Sequence, residues 1–307
     1  MNLKILINFF IIIKYILVLN LILTNIILIN SRKDIKVGLC VIGKNENLYA
    51  REFVEHYKKM GYNKIILYDN NDKKGEKFED VINDFIKDGF VKIINYSEKN
   101  ENDRPLFDAY KDCYSKYNRR YDWLSFFDMD EFLELNNKYK NIREFLKDSI
   151  FKDCQNIKVN WLFYMNDKIL YYENKPLQER MKTIIYDDLH NKHIKSTVRG
   201  NLYTNYWDNL VNSHTSMLNV TSCSSSGKII RFDSPFNSPP DYTNAKLKHF
   251  YYKSFEEFCL KIKRGMISLP KNKSNEIINE RYKNLIRGNK DNLEKLKIIN
   301  RIFNETI

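Results

Sequence analysis

The chain has 307 residues, enough for one large domain or two small ones. Its 43% hydrophobic and 29% charged residues exclude wholesale disorder, and 9 Gly with 6 Pro exclude collagen-like and linker-like chains. Of the net charge of +12, +4 falls on residues 1–36 and +4 on residues 271–307, so the stretch between them has an ordinary surface and not the basic, aromatic-interleaved stripe of a nucleic-acid-binding protein.

The first element is an apolar run from Ile5 to Ile29, interrupted by Asn8, Lys14, Asn20, Thr24 and Asn25. Its length suits a single membrane-crossing helix, whereas a cleaved signal peptide has a shorter apolar region and a small-residue cleavage site. The reading is a single-pass N-terminal anchor, with a signal peptide as the alternative. Lys14 is costly at mid-membrane, and Arg32, Lys33 and Lys36 at the far end leave the orientation open. Three regions follow from this: 1–34 as anchor or signal, 35–270 as the main domain, and 271–307 as a helical extension.

From Lys36 the pattern alternates short strands with amphipathic helices. Lys36–Ile42 reads as a strand, and Leu48–Met60 as a helix with Phe53, Val54 and Tyr57 on one face, stopped by Gly61. Ile65–Tyr68 is a second strand, Phe78–Ile86 a helix closed by Gly89, and Phe90–Ile94 a third strand. Leu106, Phe107, Tyr110, Cys113, Tyr114 and Tyr117 mark a helix at 3.6-residue spacing, before a fourth strand at Trp123–Phe127. Such alternation predicts an α/β fold with a mostly parallel sheet flanked by helices, whose ligands bind at the carboxyl ends of the strands. The second half is less regular. Strands are expected at Ile157–Phe163, Met181–Tyr186 and Lys228–Phe232, loops at Thr221–Gly227 and Ser234–Asp241, a helix at Phe255–Lys263, and one or two helices over residues 276–303. Five Cys, none in a C-x-x-C pair, read neither as a zinc module nor as a dense disulfide scaffold, and the odd count leaves at least one thiol without an internal partner.

The segment richest in chemistry is Asp128-Met129-Asp130-Glu131, delivered by an apolar strand. Asp128 and Asp130 can point into one site if the chain turns there, and carboxylates that close repel unless a cation lies between them. Their oxygens suit Mg²⁺ or Mn²⁺, which can bridge a substrate diphosphate. Asp69-Asn70-Asn71-Asp72 ends the second strand at the same sheet edge; a carboxylate there suits a ribose hydroxyl or a base N–H, and the same residues are also good turn material. His249, among Phe250, Tyr251 and Tyr252, reads either as a third metal ligand or as a core residue. Lys195 and Arg199 share a strand face and could meet phosphates or acidic sugars. Sequons at Asn95, Asn219, Asn272 and Asn304 matter only in a luminal domain.

An Asp-x-Asp after a fourth strand resembles the GT-A glycosyltransferases. The ordered set Cys40–Glu46, Glu52–Tyr57, Leu67–Asn70, Trp123–Phe132, Pro176–Arg180, Lys195–Arg199 and His249–Gly265 resembles glycosyltransferase family 92 and its family 2-like relatives. The resemblance covers Lys36 to Gly265. It implies a GT-A (Rossmann-like) fold and a Mn²⁺ (or Mg²⁺) enzyme that moves a hexose, with galactose the sugar it points to, from a UDP-sugar donor to a glycan acceptor with inversion. By resemblance Lys44, Asn45, Glu46, Asp69, Asn70, Arg104 and Asp128 hold the nucleotide-sugar, and Asp128, Asp130 and His249 hold the metal. Trp161, Lys195 and Arg199 fall to the acceptor or the phosphates, and Glu131 and Asp167 are the candidates for the base. Tyr164 departs from the family, which tends to have Gly there. A nucleotidyltransferase would need a Gly-rich phosphate loop, which Gly38 and Gly43 do not make. A catalytically inactive, membrane-tethered glycan-binding scaffold is the non-enzyme alternative.

Overall fold

The computed structural model describes residues 12–21, 34–97, 104–166, 168–202, 214, 220–230 and 234–304. Strand β1 (Val37–Gly43) is buried along its whole length, as a strand covered on both faces must be. Helix α1 (Asn47–Lys59) buries Phe53, Val54 and Tyr57 as their spacing predicts. Strand β2 (Lys64–Asp69), helix α2 (Glu79–Lys87), β3 (Val91–Asn95), α3 (Pro105–Tyr117) and β4 (Trp123–Phe126) complete the regular half. Strands β1, β2, β3 and β4 are parallel, with β1 between β2 and β4. Gly43, Asp69 and Phe126 therefore end at one sheet edge.

The remainder is not the mostly parallel continuation expected. Strand β8 (Ile194–Arg199) lies antiparallel to both β4 and β6 (Asn156–Met165), so the sheet is mixed. Strand β6 is ten residues long and serves two sets of neighbours: its first half pairs with β8, and Trp161–Phe163 pairs parallel with β11 (Ala245–His249). Strand β11 is also antiparallel to β5 (Glu131–Leu135), in a register that sets His249 opposite Glu131. Short strands β7 (Thr183–Ile185), β9 (Ser222–Cys223) and β10 (Ile229–Ile230) lie at the margins. Strand β9 falls within the expected loop Thr221–Gly227.

Further helices follow in the second half. They are α4 (Ile142–Lys147), α5 (Leu177–Arg180), α6 (Phe255–Arg264) and α7 (Lys271–Gly288); α8 (Leu293–Asn304) closes the chain. The C-terminal extension is thus two helices, and the first starts earlier than expected, directly after Pro270. Two disulfides, Cys40–Cys113 between β1 and α3 and Cys154–Cys223 beside β9, take up four of the five cysteines, and Cys259 is free and buried.

Residues 1–35 and 36–307 are separate compact units. Of the expected anchor, residues 12–21 are helical and the rest lies outside the described residues. Among the described residues no helix is long and apolar enough to cross a membrane.

Candidate active site

Phe126 ends β4, and the chain turns through Asp128 and Asp130 into β5. The turn is fixed by Glu131, whose Oε2 accepts from the Asp128 backbone N–H at 2.8 Å while Glu131 N–H donates to the Asp128 carbonyl at 3.1 Å. Glu131 is fully buried, and burial, reinforced by the Asp128 charge, holds its carboxyl well above the usual range against the pull of Lys195. This placement removes it as an exposed base. Asp167, the other candidate base, lies outside the described residues.

Asp128 Oδ1 accepts from Lys195 Nζ at 2.8 Å and from the Tyr110 hydroxyl at 3.0 Å. Burial favours the neutral acid, but Lys195 outweighs it and holds Asp128 below the ordinary carboxylate range. Lys195 is itself buried; against that burial, Asp128 and Glu131 hold it above the usual lysine value. The antiparallel insertion of β8 beside β4 is what brings it there.

Asp130 is deeper. Its Oδ2 lies 2.5 Å from Lys261 Nζ and 3.5 Å from Lys253 Nζ, and its Oδ1 lies 3.6 Å from His249 Nε2. The β5–β11 register explains the histidine, and the Phe250 backbone N–H donating to the Asp130 carbonyl at 3.0 Å pins it. Burial opposes ionisation of Asp130, yet Lys261 and Lys253 hold it well below the usual range. Burial lowers the His249 pKa against the attraction of Asp130, so the ring is neutral, and its buried Nδ1 has no hydrogen-bond partner among the described residues. Burial likewise pulls Lys253 down to about 8.

Helix α6 carries Lys261 and Arg264 into the site, and a buried network aims it. Ser254 and Glu257 form a reciprocal capping box; Glu257 also takes a bidentate contact from Arg180 at 2.6 and 2.7 Å and the Tyr49 hydroxyl at 2.7 Å. Arg264 pairs with Glu46 at 3.0 Å and donates to the Lys44 carbonyl at 2.6 Å. A cavity of about 180 Å³ is lined by Asp128, Asp130, Lys195, His249, Lys261 and Arg264, among others. Residues 265–268 also line it, held by the Leu106 N–H donating to the Ile267 carbonyl at 3.1 Å.

The remaining expected residues divide. Glu46 and Trp161 line the cavity. Lys44 pairs with Asp72 at 3.0 Å, and Asn45, at φ +51°, donates its N–H to Asn71 Oδ1 at 2.7 Å. Asp69 Oδ1 accepts from Asn71 N–H at 2.9 Å, the turn geometry that the sequence allowed. Asn70 ties the ends of β1 and β2 together, its N–H on the Gly43 carbonyl at 2.9 Å. Two of them lie away from the cavity. Arg199 donates to the carbonyls of Cys154 and Phe151 at 2.6 and 2.9 Å, about four residues down the strand from Lys195, and so supports a loop away from the cavity. Arg104 is exposed, 3.8 Å over the Phe107 ring, and does not line the cavity. Sequence reasoning assigned no role to Lys253, Lys261, Arg264 or Tyr110. The available signal was helical spacing, which sets Glu257, Lys261 and Arg264 on one face of α6.

The donor set suits a divalent cation. Asp130, in the turn before β5, and the neutral His249, at the end of the adjacent β11, offer an oxygen and a nitrogen ligand, a pair that accepts Mn²⁺. Among the described residues no three His, Cys, Asp or Glu form a cage. Metals that serve diphosphates are held by one or two carboxylates with phosphate and water completing the shell, so the two-residue arrangement fits such an ion.

Solved structures with similarity to parts of this chain include the following. A mannosyltransferase, PcManGT from Pyrobaculum calidifontis, solved with GDP-Man and Mn²⁺, is 9% identical over 43% of this chain and 37% of that one, at TM-score 0.30. S. aureus TarS is 14% identical over 80% of this chain and 42% of that one, at TM-score 0.34. TarS 1-349 in complex with UDP is 12% identical over 84% and 73%, at TM-score 0.38. The chain thus spans about two fifths of the length of the first two. None of the proteins of curated function matches it. The model of glycosyltransferase family 92 matches residues 33–276, most of the chain, and the chain belongs to that family.

Proposed function

We propose that the protein transfers a hexose, galactose by family resemblance, from a UDP-sugar to a glycan acceptor, with inversion and with help from Mn²⁺ or Mg²⁺. The observation that carries the reading is the convergence of Asp128, Asp130, His249, Lys195, Lys261 and Arg264 on one cavity at the carboxyl edge of the parallel strands. Asp130 and His249 would hold the ion, which when bound neutralises charge on the leaving diphosphate. The chain's own residues do the rest. Lys195 and Tyr110 fix Asp128 ionised and oriented toward the donor. Lys261 and Arg264 supply positive charge where phosphate oxygens would lie. The Arg180–Glu257 pair holds α6, and hence both cations, in place.

The two disulfides support an oxidising compartment as the site of action. Incubation with UDP-hexoses, without acceptor, tests the reading. Slow release of UDP from one of them, lost in Asp128→Asn, is expected. No release from any UDP-sugar by folded protein would remove the proposal.

A further inference from the structure

A second cavity, of about 660 Å³, opens beside the first. Trp161, Tyr251, Met266 and Arg281 line both, so the two adjoin. One wall is aromatic: Trp161, Phe163, Tyr251 and Phe258 are brought together by β6, β11 and α6. The other wall is helix α7, with Arg281 and Asn284. The family match ends at residue 276, whereas α7 runs to Gly288, so this second wall is built from residues outside the matched segment.

Two polar groups here lack partners that the fold could have given them. The Trp161 indole N–H is buried with no hydrogen-bond partner among the described residues, and the residue is only 8% exposed. A buried donor left unpaired costs about 1–3 kcal/mol, so such groups call for an explanation. Arg281 makes one hydrogen bond among the described residues, from Nη1 to the Tyr251 hydroxyl at 3.2 Å, and pairs with no carboxylate there. Its guanidinium keeps further N–H donors in a planar fork. An apolar, aromatic floor flanked by uncommitted donors fits a ligand with C–H faces and a rim of hydroxyl oxygens. A sugar ring has both: its axial C–H groups lie against the negative face of an aromatic ring, and its equatorial hydroxyls accept N–H bonds.

We infer that this cleft is the acceptor site and that it takes a carbohydrate chain of a few rings, with α7 setting which chain is accepted. The inference rests on the donor reading above, since it makes the smaller cavity the place of transfer. Stacking on Trp161 and Tyr251 supplies affinity; Arg281 and Asn284 read the hydroxyl pattern. The cleft volume lies in the range of sites that enclose a ligand of this size.

The test is retention of the full-length protein on an array of defined neutral and acidic oligosaccharides, beside UDP titration of the same preparation. Retention by at least one oligosaccharide class is expected, with a loss of about tenfold or more in Arg281→Ala and in Asn284→Trp. Trp161→Ala could unfold the core; Asn284 is exposed on α7, so Asn284→Trp fills the cleft without that risk. UDP binding without retention on any oligosaccharide, or α7 variants that are retained like the wild type, would overturn the inference while the donor reading stood. Retention without UDP binding would uphold the cleft and overturn the donor reading.

Discussion

Replacing Asp130 by Asn keeps the shape of the side chain and removes its charge. Sequence alone suggests that shedding one of two mutually repelling carboxylates costs nothing. The structure reverses this, because Asp130 faces Lys261 at 2.5 Å and Lys253 at 3.5 Å, both largely withdrawn from solvent. Removing one partner of a fully buried pair costs about 3–5 kcal/mol. Two features reduce it here. Lys253, with a pKa of about 8 that Asp130 itself helps to raise, gives up its proton near neutral pH for about 1 kcal/mol or less. Lys261 keeps 17% of its side-chain surface exposed and can turn toward water. The expected loss is therefore about 2–3 kcal/mol at pH 7.5. It should shrink at pH 9, where Lys253 is neutral in both proteins, and Lys261→Met should recover most of it in the double variant. Urea unfolding followed by tryptophan fluorescence measures all three. An Asp130→Asn protein as stable as the wild type at pH 7.5 would refute the charge balance argued here.

Arg180→Ala should lower stability by about 3–5 kcal/mol, because it strands Glu257 at a site with no solvent access, and should weaken UDP binding by releasing α6; calorimetry with and without UDP checks both. Burial holds His56 at about 4, below its ordinary 6.5, so the unfolded chain takes up a proton that the folded one refuses. Stability should fall by up to about 3 kcal/mol as pH drops from 6.5 to 4, and the slope of urea midpoint against pH should flatten in His56→Gln. Non-reducing peptide maps should link Cys40 to Cys113 and Cys154 to Cys223, with Cys259, its thiol pushed up to about 12 by burial, alkylated only after denaturation. Reducing either bridge should cost about 4 kcal/mol; unlinked cysteines in the native protein would contradict the pairing.

What the sequence revealed was local. Apolar periodicity located β1 to β4 and the helices between them, and the burst of carboxylates after Trp123–Phe126 marked the ligand edge. What it hid depends on contacts across long separations. Lys261 reaches Asp130 over 131 residues, and the cysteine pairs span 73 and 69. No pattern within a window announces that β8 inserts antiparallel between β4 and β6, yet that insertion delivers Lys195 to Asp128 and turns Arg199 to a loop. Lys195 and Arg199 look equivalent in an alternating strand; about 13 Å of extended chain separates their tasks. Strand β9, two residues within a Ser-rich run, exists through its pairing with β6 and not through its own propensity.

The central claim is that the cavity at Asp128 and Asp130 takes a nucleotide diphosphate with a divalent ion. Titration of the full-length protein with UDP by calorimetry, once with Mn²⁺ and once with EDTA, tests it most directly. Binding with Mn²⁺, lost with EDTA and lost in His249→Ala of unchanged melting temperature, is the predicted result. Equal affinity for UDP in EDTA, or no affinity in either condition, would contradict it.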